Sequence, residues 1–287
     1  MATTKESLEA FLAKAGPTVL VEVESAKGST PREAGARILV SGAGIHGTIG
    51  GGQLEYMAID KARQLLVEDA LRDPAWADRA PVRLDIPLGP EIGQCCGGRV
   101  GVAISPVSPA SKTELVRKAD AEDARMRHVY VFGGGHVGHA LARALTLLPV
   151  KTVVVETRAG ELEGLPDGVG AMLIPVPEDV VREAPANAAF VVLTHDHALD
   201  FLIVSEALKR QDAAYVGMIG SKTKKTTFRN WFVRSGGGSE AEFARLICPI
   251  GGNAVRDKRP AVIAALAAAE IATALLSSAA SVSAEAD

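Results

Sequence analysis

Residues 133–138 form a glycine-rich motif, GGGHVG, with the spacing G-x-G-x-x-G. An apolar β-type run precedes the motif and an alanine-rich helical segment follows it, which is the context of a dinucleotide-binding loop. In that context Gly133 permits a tight turn, Gly135 lets a pyrophosphate approach the backbone, and Gly138 lets helix and strand pack closely. The first N–H groups of the helix would then bind an anion. The predicted binding loop also includes Gly134, His136 and Val137.

An acidic residue follows the next β-type run along the chain. Residues 152–155 lead into Glu156, which lies about 20 residues beyond the glycines, where such folds bind a ribose hydroxyl. We predict that Glu156 and Arg158 recognise a ribose or the edge of a pterin. A glycine loop without a ligand is the alternative, because a fold does not dictate what it binds.

Two adjacent cysteines are the second chemical feature of the chain, in the segment Gln94-Cys95-Cys96-Gly97-Gly98. Adjacent cysteines are awkward to join to each other, and a free thiolate is both a soft metal ligand and a nucleophile. The two glycines could direct N–H groups at a thiolate or a bound anion. The alternative is a pair of small buried hydrophobic side chains. Zinc is disfavoured because no second Cys or His pair has suitable spacing.

Two further loops of the N-terminal half could hold an anion. Residues 28–35, GSTPREAG, offer backbone donors together with Arg32. Residues 47–55, GTIGGGQLE, place Gly51 and Gly52 directly before a helix, where N–H groups are free. The alternatives are a structured turn with a surface arginine and, in the second loop, Glu55 acting only as an electrostatic cap.

The segment THDHALD at 194–200 follows the apolar run at 190–193. Parallel sheets bind ligands at the carboxyl ends of their strands, so we predict that His195, Asp196 and His197 line the floor of a site. The H-x-H spacing also leaves a metal site open. In the alternative interpretation, Asp196 or Thr194 only caps the next helix.

The segment GSKTKK at 220–225 follows the run at 215–219. Gly220, Ser221 and Lys222 are predicted to bind a phosphate at this strand end. A solvated basic helix face is the alternative.

Periodicity assigns these motifs to an α/β fold. A small N-terminal α/β domain over 1–105 is followed by a Rossmann-like, doubly wound parallel-sheet domain over 128–278, because strands and helices alternate there. The mixed-charge, proline-containing interval 106–127 is predicted to be a linker that is partly helical, and residues 279–287 a disordered tail.

Composition limits the class of partner and the location. The net charge is −3, and 47% of the 287 residues are hydrophobic, so we expect a globular protein with no nucleic-acid partner. We expect no membrane association, because no uncharged run reaches transmembrane length, and no signal peptide. Three cysteines do not make a disulfide framework, which favours a reducing cytoplasm.

Taken in order, these motifs resemble those of the xanthine dehydrogenase accessory protein family (XdhC/CoxI). The resemblance rests on the segments at 28–35, 47–55, 93–98, 133–138, 194–200 and 215–222 and on CPIG at 248–251. It covers nearly the whole chain except the predicted linker and tail. Residues 252–260, GNAVRDKRP, depart from the family pattern, so the resemblance assigns no ligand contact to them.

The resemblance implies a chaperone without enzymatic activity of its own. Such a protein binds molybdenum cofactor (molybdopterin), protects it during sulfuration by a cysteine desulfurase, and delivers it to apo-xanthine dehydrogenase or a related molybdenum hydroxylase. The family cysteine implies that Cys95 or Cys96 contacts the molybdenum. The Rossmann-like domain would hold a phosphate-bearing part of the cofactor, a nucleotide or NAD(P). We also expect a homodimer.

Two other classes of protein remain open. The glycine motif and Glu156 favour an NAD(P)-dependent oxidoreductase, which would leave the adjacent cysteines unexplained. His195, His197 and Asp200 favour a metal-dependent hydrolase, which would require further ligands.

Overall fold

The computed structural model of the chain describes residues 5–69, 76–90 and 97–277. The chain divides into two compact units whose boundary falls between Arg125 and Met126. Each unit has its own sheet and its own hydrophobic core.

The N-terminal unit is built on a five-stranded antiparallel sheet in the order β3-β2-β1-β5-β4. Its strands are β1 (Thr18–Lys27), β2 (Arg37–Ser41), β3 (Gly44–Gly47), β4 (Val82–Pro87) and β5 (Arg99–Pro106). Its helices are α1 (Lys5–Lys14), α2 (Gly52–Asp69) and α3 (Pro109–Ala124), and a 3-10 turn spans Trp76–Asp78.

The alternating side chains of this sheet separate two layers of core. Ile38 and Val40 of β2 face α2, where they pack with Leu54 and Ala58. Leu39 faces the opposite side and packs with α1 and α3. The period-2 alternation of a strand therefore lets helices cover both faces of one antiparallel sheet.

The interval 106–127 differs from the predicted linker, because most of it is the helix α3. Ser108 caps the helix by accepting a hydrogen bond from the N–H of Ser111, and Pro109 occupies the first turn. Leu115 and Ala119, four residues apart, are buried against α1. Because the remaining faces of α3 carry charged residues, the composition of the segment does not reveal this narrow apolar stripe.

The C-terminal unit contains a six-stranded parallel sheet in the order β11-β10-β9-β6-β7-β8. Its strands are β6 (Arg127–Phe132), β7 (Val150–Glu156), β8 (Gly170–Leu173), β9 (Ala189–Val192), β10 (Tyr215–Met218) and β11 (Leu246–Ile247). Numbered from β6, this is the strand order 3-2-1-4-5-6 of a Rossmann fold. The predicted fold class is confirmed.

Helices cover both faces of the parallel sheet. They are α4 (His136–Leu145), α5 (Pro177–Glu183), α6 (His197–Lys209), α7 (Lys222–Arg234), α8 (Glu240–Phe243) and α9 (Pro260–Leu276). Helices α4 and α9 pack on one face around Val131 and Val191, and α5, α6 and α7 pack on the other around Phe132 and Phe190. No helix in the described part of the chain is long and apolar enough to cross a membrane.

Candidate functional site

The glycine loop lies at the point where the strand order of the parallel sheet reverses. It follows β6, and β6 pairs with β7 on one side and with β9 on the other. In open α/β sheets the crevice outside the strand ends at such a switch point is where ligands bind. The topology therefore places the predicted binding loop 133–138 at the favoured position of this fold.

The three glycines of the motif differ in what an added side chain would meet. Gly133 has a φ of +116°, and a Cβ there would lie 2.5 Å from the carbonyl oxygen of Leu193. A Cβ on Gly138 would lie 2.0 Å from the carbonyl oxygen of Gly133. A Cβ on Gly135 would meet nothing within 4 Å. Packing thus accounts for the first and third glycines, whereas Gly135 faces open space.

Helix α4 begins without a side-chain cap. Its N-cap residue is Gly135, whereas α6 and α7 are capped by the side chains of Asp196 and Ser221. No acidic residue lies in the first turn of α4. The N–H groups at its start lie at the positive end of the helix dipole and therefore remain available to an anion.

Glu156 ends β7 with its side chain only 4% exposed. Its carboxylate accepts hydrogen bonds from the N–H groups of Gly134 at 2.9 Å, Thr157 at 2.8 Å and Arg158 at 3.2 Å. Burial opposes ionisation, but these bonds and the guanidinium of Arg158 outweigh it and lower the pKa of Glu156 below its ordinary value. Glu156 therefore holds the glycine loop in place, and its contact with a ribose stays a prediction.

Arg158 lies between two carboxylates. Its guanidinium is 3.4 Å from Oε2 of Glu156 and 3.3 Å from Oε1 of Glu161. Both contacts are within the protein, so binding of a ribose or pterin by Arg158 stays a prediction.

A pocket of about 360 Å³ lies beside the glycine loop. It is lined by Gly134, Gly135, His136, His139, Arg143, Gly160 and Glu161. The carbonyl oxygen of Glu161 lies 3.0 Å from Nε2 of His139, and since a carbonyl only accepts, that nitrogen carries the proton. The sequence interpretation missed His139 and Arg143, although their spacing of three and seven residues from His136 places all three on one face of α4.

The segment 194–200 is arranged mainly by its own hydrogen bonds. Asp196 caps α6 by accepting from the N–H of Ala198 at 2.8 Å, and its contact with a ligand stays a prediction. His195 and His197 are exposed. Within the described residues, no three His, Cys, Asp or Glu side chains are grouped as a metal site would need.

The second predicted phosphate segment is also a helix start. Ser221 caps α7 by accepting from the N–H of Lys224 at 3.2 Å, and Lys222 is exposed. Lys224, rather than Lys222, turns inward and pairs with Asp200. Binding of a phosphate by Gly220, Ser221 and Lys222 stays a prediction.

Three motifs of the N-terminal unit meet at one end of its sheet. A Cβ on Gly98 would lie 2.2 Å from the carbonyl oxygen of Ser29, so the backbones are in direct contact. A Cβ on Gly50 would lie 2.6 Å from Cβ of Pro31 and 3.2 Å from Cγ of Arg32. The loop 28–35 is thus sandwiched between Gly98 and the glycines of 47–55, and Arg32 itself is exposed.

The adjacent cysteines lie outside the described residues, together with Gln94. Gly97, which follows Cys96 in the sequence, is described: its N–H donates to the carbonyl oxygen of Leu88 at 2.8 Å. Gly97 is therefore held to the turn that follows β4.

At Gly51 the predicted anion cradle is occupied by the protein itself. Oε2 of Glu55 accepts hydrogen bonds from Thr48 Oγ1 at 2.5 Å, Ile49 N at 2.9 Å and Gly51 N at 3.1 Å. Burial would raise the pKa of Glu55, but these bonds outweigh it and hold the pKa below its ordinary value. The capping alternative describes this loop better than the prediction of a free cradle.

The sheet order, the glycine loop at its switch point and the uncapped α4 define a Rossmann-type domain joined to an antiparallel α/β unit. A model of the XdhC Rossmann domain matches residues 129–271, and a model of the XdhC and CoxI family matches residues 11–72. The chain belongs to the XdhC and CoxI family, as the motifs predicted.

Two individual proteins resemble the chain over most of its length. A solved structure from Bacillus halodurans, described as a xanthine dehydrogenase, has a TM-score of 0.75 and 19% identity, and the match covers 95% of this chain and 96% of that one. The uncharacterized protein YqeB of Escherichia coli K12 is 28% identical over 264 residues, which is 89% of this chain. The match spans only 43% of that relative's length.

Proposed function

We propose that the protein is a molybdenum cofactor chaperone for xanthine dehydrogenase or a related molybdenum hydroxylase. Membership of the XdhC family supports a role in the maturation of xanthine dehydrogenase and an accessory protein rather than an enzyme. The proposal adds that the chain binds the cofactor, shields it during sulfuration by a cysteine desulfurase and passes it to the apo-hydroxylase. A homodimer in the cytoplasm is part of the same proposal.

Cys95 or Cys96 is proposed to contact the molybdenum. A thiolate matches a soft, sulfur-bound metal, and the cysteines precede Gly97 and Gly98 in the sequence. Those glycines are held against the loop 28–35, which carries Arg32. Arg32 is exposed, and its Cγ would lie 3.2 Å from a Cβ on Gly50, so its cation lies beside the loop 47–55, where it suits an anionic ligand.

The observation that carries the proposal for the C-terminal unit is the uncapped start of α4 at Gly135. Free N–H groups and open space at a Rossmann switch point suit a phosphate. In the proposed arrangement the start of α4 binds this phosphate, Glu156 keeps the loop in shape, and Arg143 and His139 neighbour the bound group. When bound, molybdenum cofactor supplies the redox-active metal that the acceptor enzyme uses.

An NAD(P)-dependent oxidoreductase is the second candidate, favoured by the strand order and by Glu156 at the end of β7. It predicts substrate-dependent absorbance change of a nicotinamide, whereas the chaperone predicts none with alcohols, acids or purines.

The test is to express the protein in cells that make molybdenum cofactor, purify it without oxygen and measure its molybdenum and pterin content. Wild type should retain both, and Cys95→Ala/Cys96→Ala should retain neither. Gly135→Val should also lower retention, because its side chain would fill the space through which a phosphate reaches the backbone.

Two controls separate binding from folding. Cys248→Ala removes the remaining cysteine, and Gly42→Val adds a side chain at another glycine where a Cβ meets nothing within 4 Å. Both should retain the cofactor. Wild-type retention in the double cysteine variant would overturn the assignment of the thiols, and a wild type without molybdenum or pterin would overturn the proposed function.

A further inference from the structure

A buried ion pair joins two helices at the carboxyl edge of the parallel sheet. Asp200 of α6 is 0% exposed, and its Oδ2 accepts a hydrogen bond from Nζ of Lys224 of α7. Nζ of Lys224 also donates to the carbonyl oxygen of Ile219 at 3.0 Å. Replacing a buried ion pair with apolar residues of the same volume often leaves a protein just as stable, so stability alone does not explain why Asp200 and Lys224 are paired here.

The second oxygen of Asp200 holds the loop that follows β9. Its Oδ1 accepts from the N–H of Thr194 at 3.0 Å and from Oγ1 of Thr194 at 2.7 Å. One carboxylate therefore fixes Thr194 after β9 and, through Lys224, the carbonyl of Ile219 after β10. Two of the loops around the switch point depend on the same side chain.

The loop at Thr194 touches the glycine loop directly. A Cβ on Gly133 would lie 2.5 Å from the carbonyl oxygen of Leu193 and 3.1 Å from Cα of Thr194. The N–H of Leu193 donates to the carbonyl oxygen of Phe132 at 2.9 Å. Thr194 therefore lies against Gly133, the first residue of the loop 133–138.

We propose that Asp200 and Lys224 are positioning residues that set the geometry of the loop 133–138 through Thr194. The inference rests on the proposed function, in which this loop binds a phosphate of the ligand. Neither side chain is assigned a contact with the ligand; both act through the backbone of neighbouring loops.

Three variants separate positioning from stability. Asp200→Leu removes both the countercharge of Lys224 and the acceptor for Thr194, and Lys224→Met leaves the carboxylate of Asp200 buried without a countercharge, so both should lower the Tm. The double variant Asp200→Leu/Lys224→Met buries no unpaired charge, and its Tm should recover toward wild type. Glu206→Gln is the matched control, because it removes a carboxylate of α6 that pairs with Arg182 at 3.1 Å on an exposed surface.

Hydrogen–deuterium exchange of the peptide that covers 129–141 is the first readout, and it requires no ligand. Exchange at 133–138 should be faster in Asp200→Leu, which no longer accepts from Thr194, and should stay faster in the double variant after its Tm has recovered. Glu206→Gln should exchange as wild type does. Unchanged exchange in Asp200→Leu, or exchange in the double variant that returns to wild type together with the Tm, would overturn the proposal.

Cofactor retention is the second readout. Molybdenum and pterin content of the double variant should fall roughly tenfold, the scale of coupling that residues outside a site carry. Retention equal to wild type would also overturn the positioning role. A wild type that retains neither molybdenum nor pterin would count against the proposed function, and the exchange measurement would still decide the role of the pair.

Discussion

Helices α2 and α4 each begin at a run of three glycines, but only α2 has an acidic residue in its first turn. Helix α2 begins at Gly52, the last residue of Gly50-Gly51-Gly52, and the carboxylate of Glu55 in its first turn occupies the cradle formed by residues 48–51. Helix α4 follows Gly133-Gly134-Gly135 and has no acid in its first turn. We call these the filled cradle, residues 48–51 with Glu55, and the open cradle, Gly135 with the start of α4.

The difference shows that glycines before a helix do not by themselves make an anion site. Backbone N–H groups at such a position bind a nearby anion, and a carboxylate in the first turn of the helix is held close to them by the chain itself. In the open cradle the nearby carboxylate of Glu156 is bound to the N–H of Gly134 instead of the helix start. The position of the nearest acid therefore separates a structural loop from a candidate ligand site.

Among the variants that test the two cradles, Gly138→Ala should lower the free energy of unfolding most. Its Cβ would lie 2.0 Å from the carbonyl oxygen of Gly133, a backbone atom that cannot move aside. We expect the free energy of unfolding to fall by about 3 kcal/mol or more, as for severe overpacking. Chemical denaturation of the purified variant measures this loss.

Gly135→Ala is the matched control for that variant. Its Cβ meets nothing within 4 Å and the φ of Gly135 is −69°, which any residue adopts. The free energy of unfolding should therefore stay within about 0.5 kcal/mol of wild type. An equal loss in both variants would show that packing, and not space for a ligand, explains all three glycines.

Glu55→Ala empties the filled cradle and should have the second largest effect. The change removes the acceptor for Thr48, Ile49 and Gly51, so we expect a loss of about 1 kcal/mol, as for other helix caps. The vacated N–H groups should then bind an external anion. Inorganic phosphate should raise the Tm of this variant more than that of wild type at equal ionic strength.

Glu55→Gln serves as the control, because its amide oxygen still accepts hydrogen bonds in the same place. It should respond to phosphate much as wild type does. If phosphate stabilises Glu55→Ala no more than wild type, the loop 48–51 does not bind anions even when emptied.

The fold was largely predictable because its signals are strong and local. The β-type runs in β6, β7, β9 and β10 are continuous and apolar, as expected for buried parallel strands. Two short strands have no comparable signal in the sequence: β3, which begins and ends with glycine, and β11, which has two residues. Helix α3 was obscured by its charge, although Ser108 and Pro109 mark its start.

The candidate site was less predictable, because residue type does not reveal which partner occupies a donor. Gly51 and Gly52 were predicted as an anion cradle, and only the structure shows that Glu55 accepts from the N–H of Gly51. The side chains of Asp196 and Ser221 cap helices, and the ligand contacts predicted for these two residues stay predictions. Arg143 was missed because it lies outside the glycine motif, one helical turn beyond His139, and only the helix brings it to the pocket.

The smallest expected effect is on the pH dependence of stability, which should report the contribution of the ionised Glu55 in the filled cradle. Folding lowers the pKa of Glu55 below its ordinary value of 4.5, because the hydrogen bonds from Thr48, Ile49 and Gly51 outweigh the opposing effect of burial. The stability that this ionised carboxylate contributes is fully present above pH 4.5 and is lost as the pH falls through the lower folded value. Glu55→Gln has no such contribution. The difference in free energy of unfolding between wild type and Glu55→Gln should therefore shrink as the pH falls from about 6 to about 3. Glu156, whose pKa is lowered in the same way, is present in both proteins, so the difference isolates Glu55. Denaturant titrations at several pH values measure it, and a difference that stays constant or grows at low pH would mean that Glu55 does not bind the loop as a carboxylate.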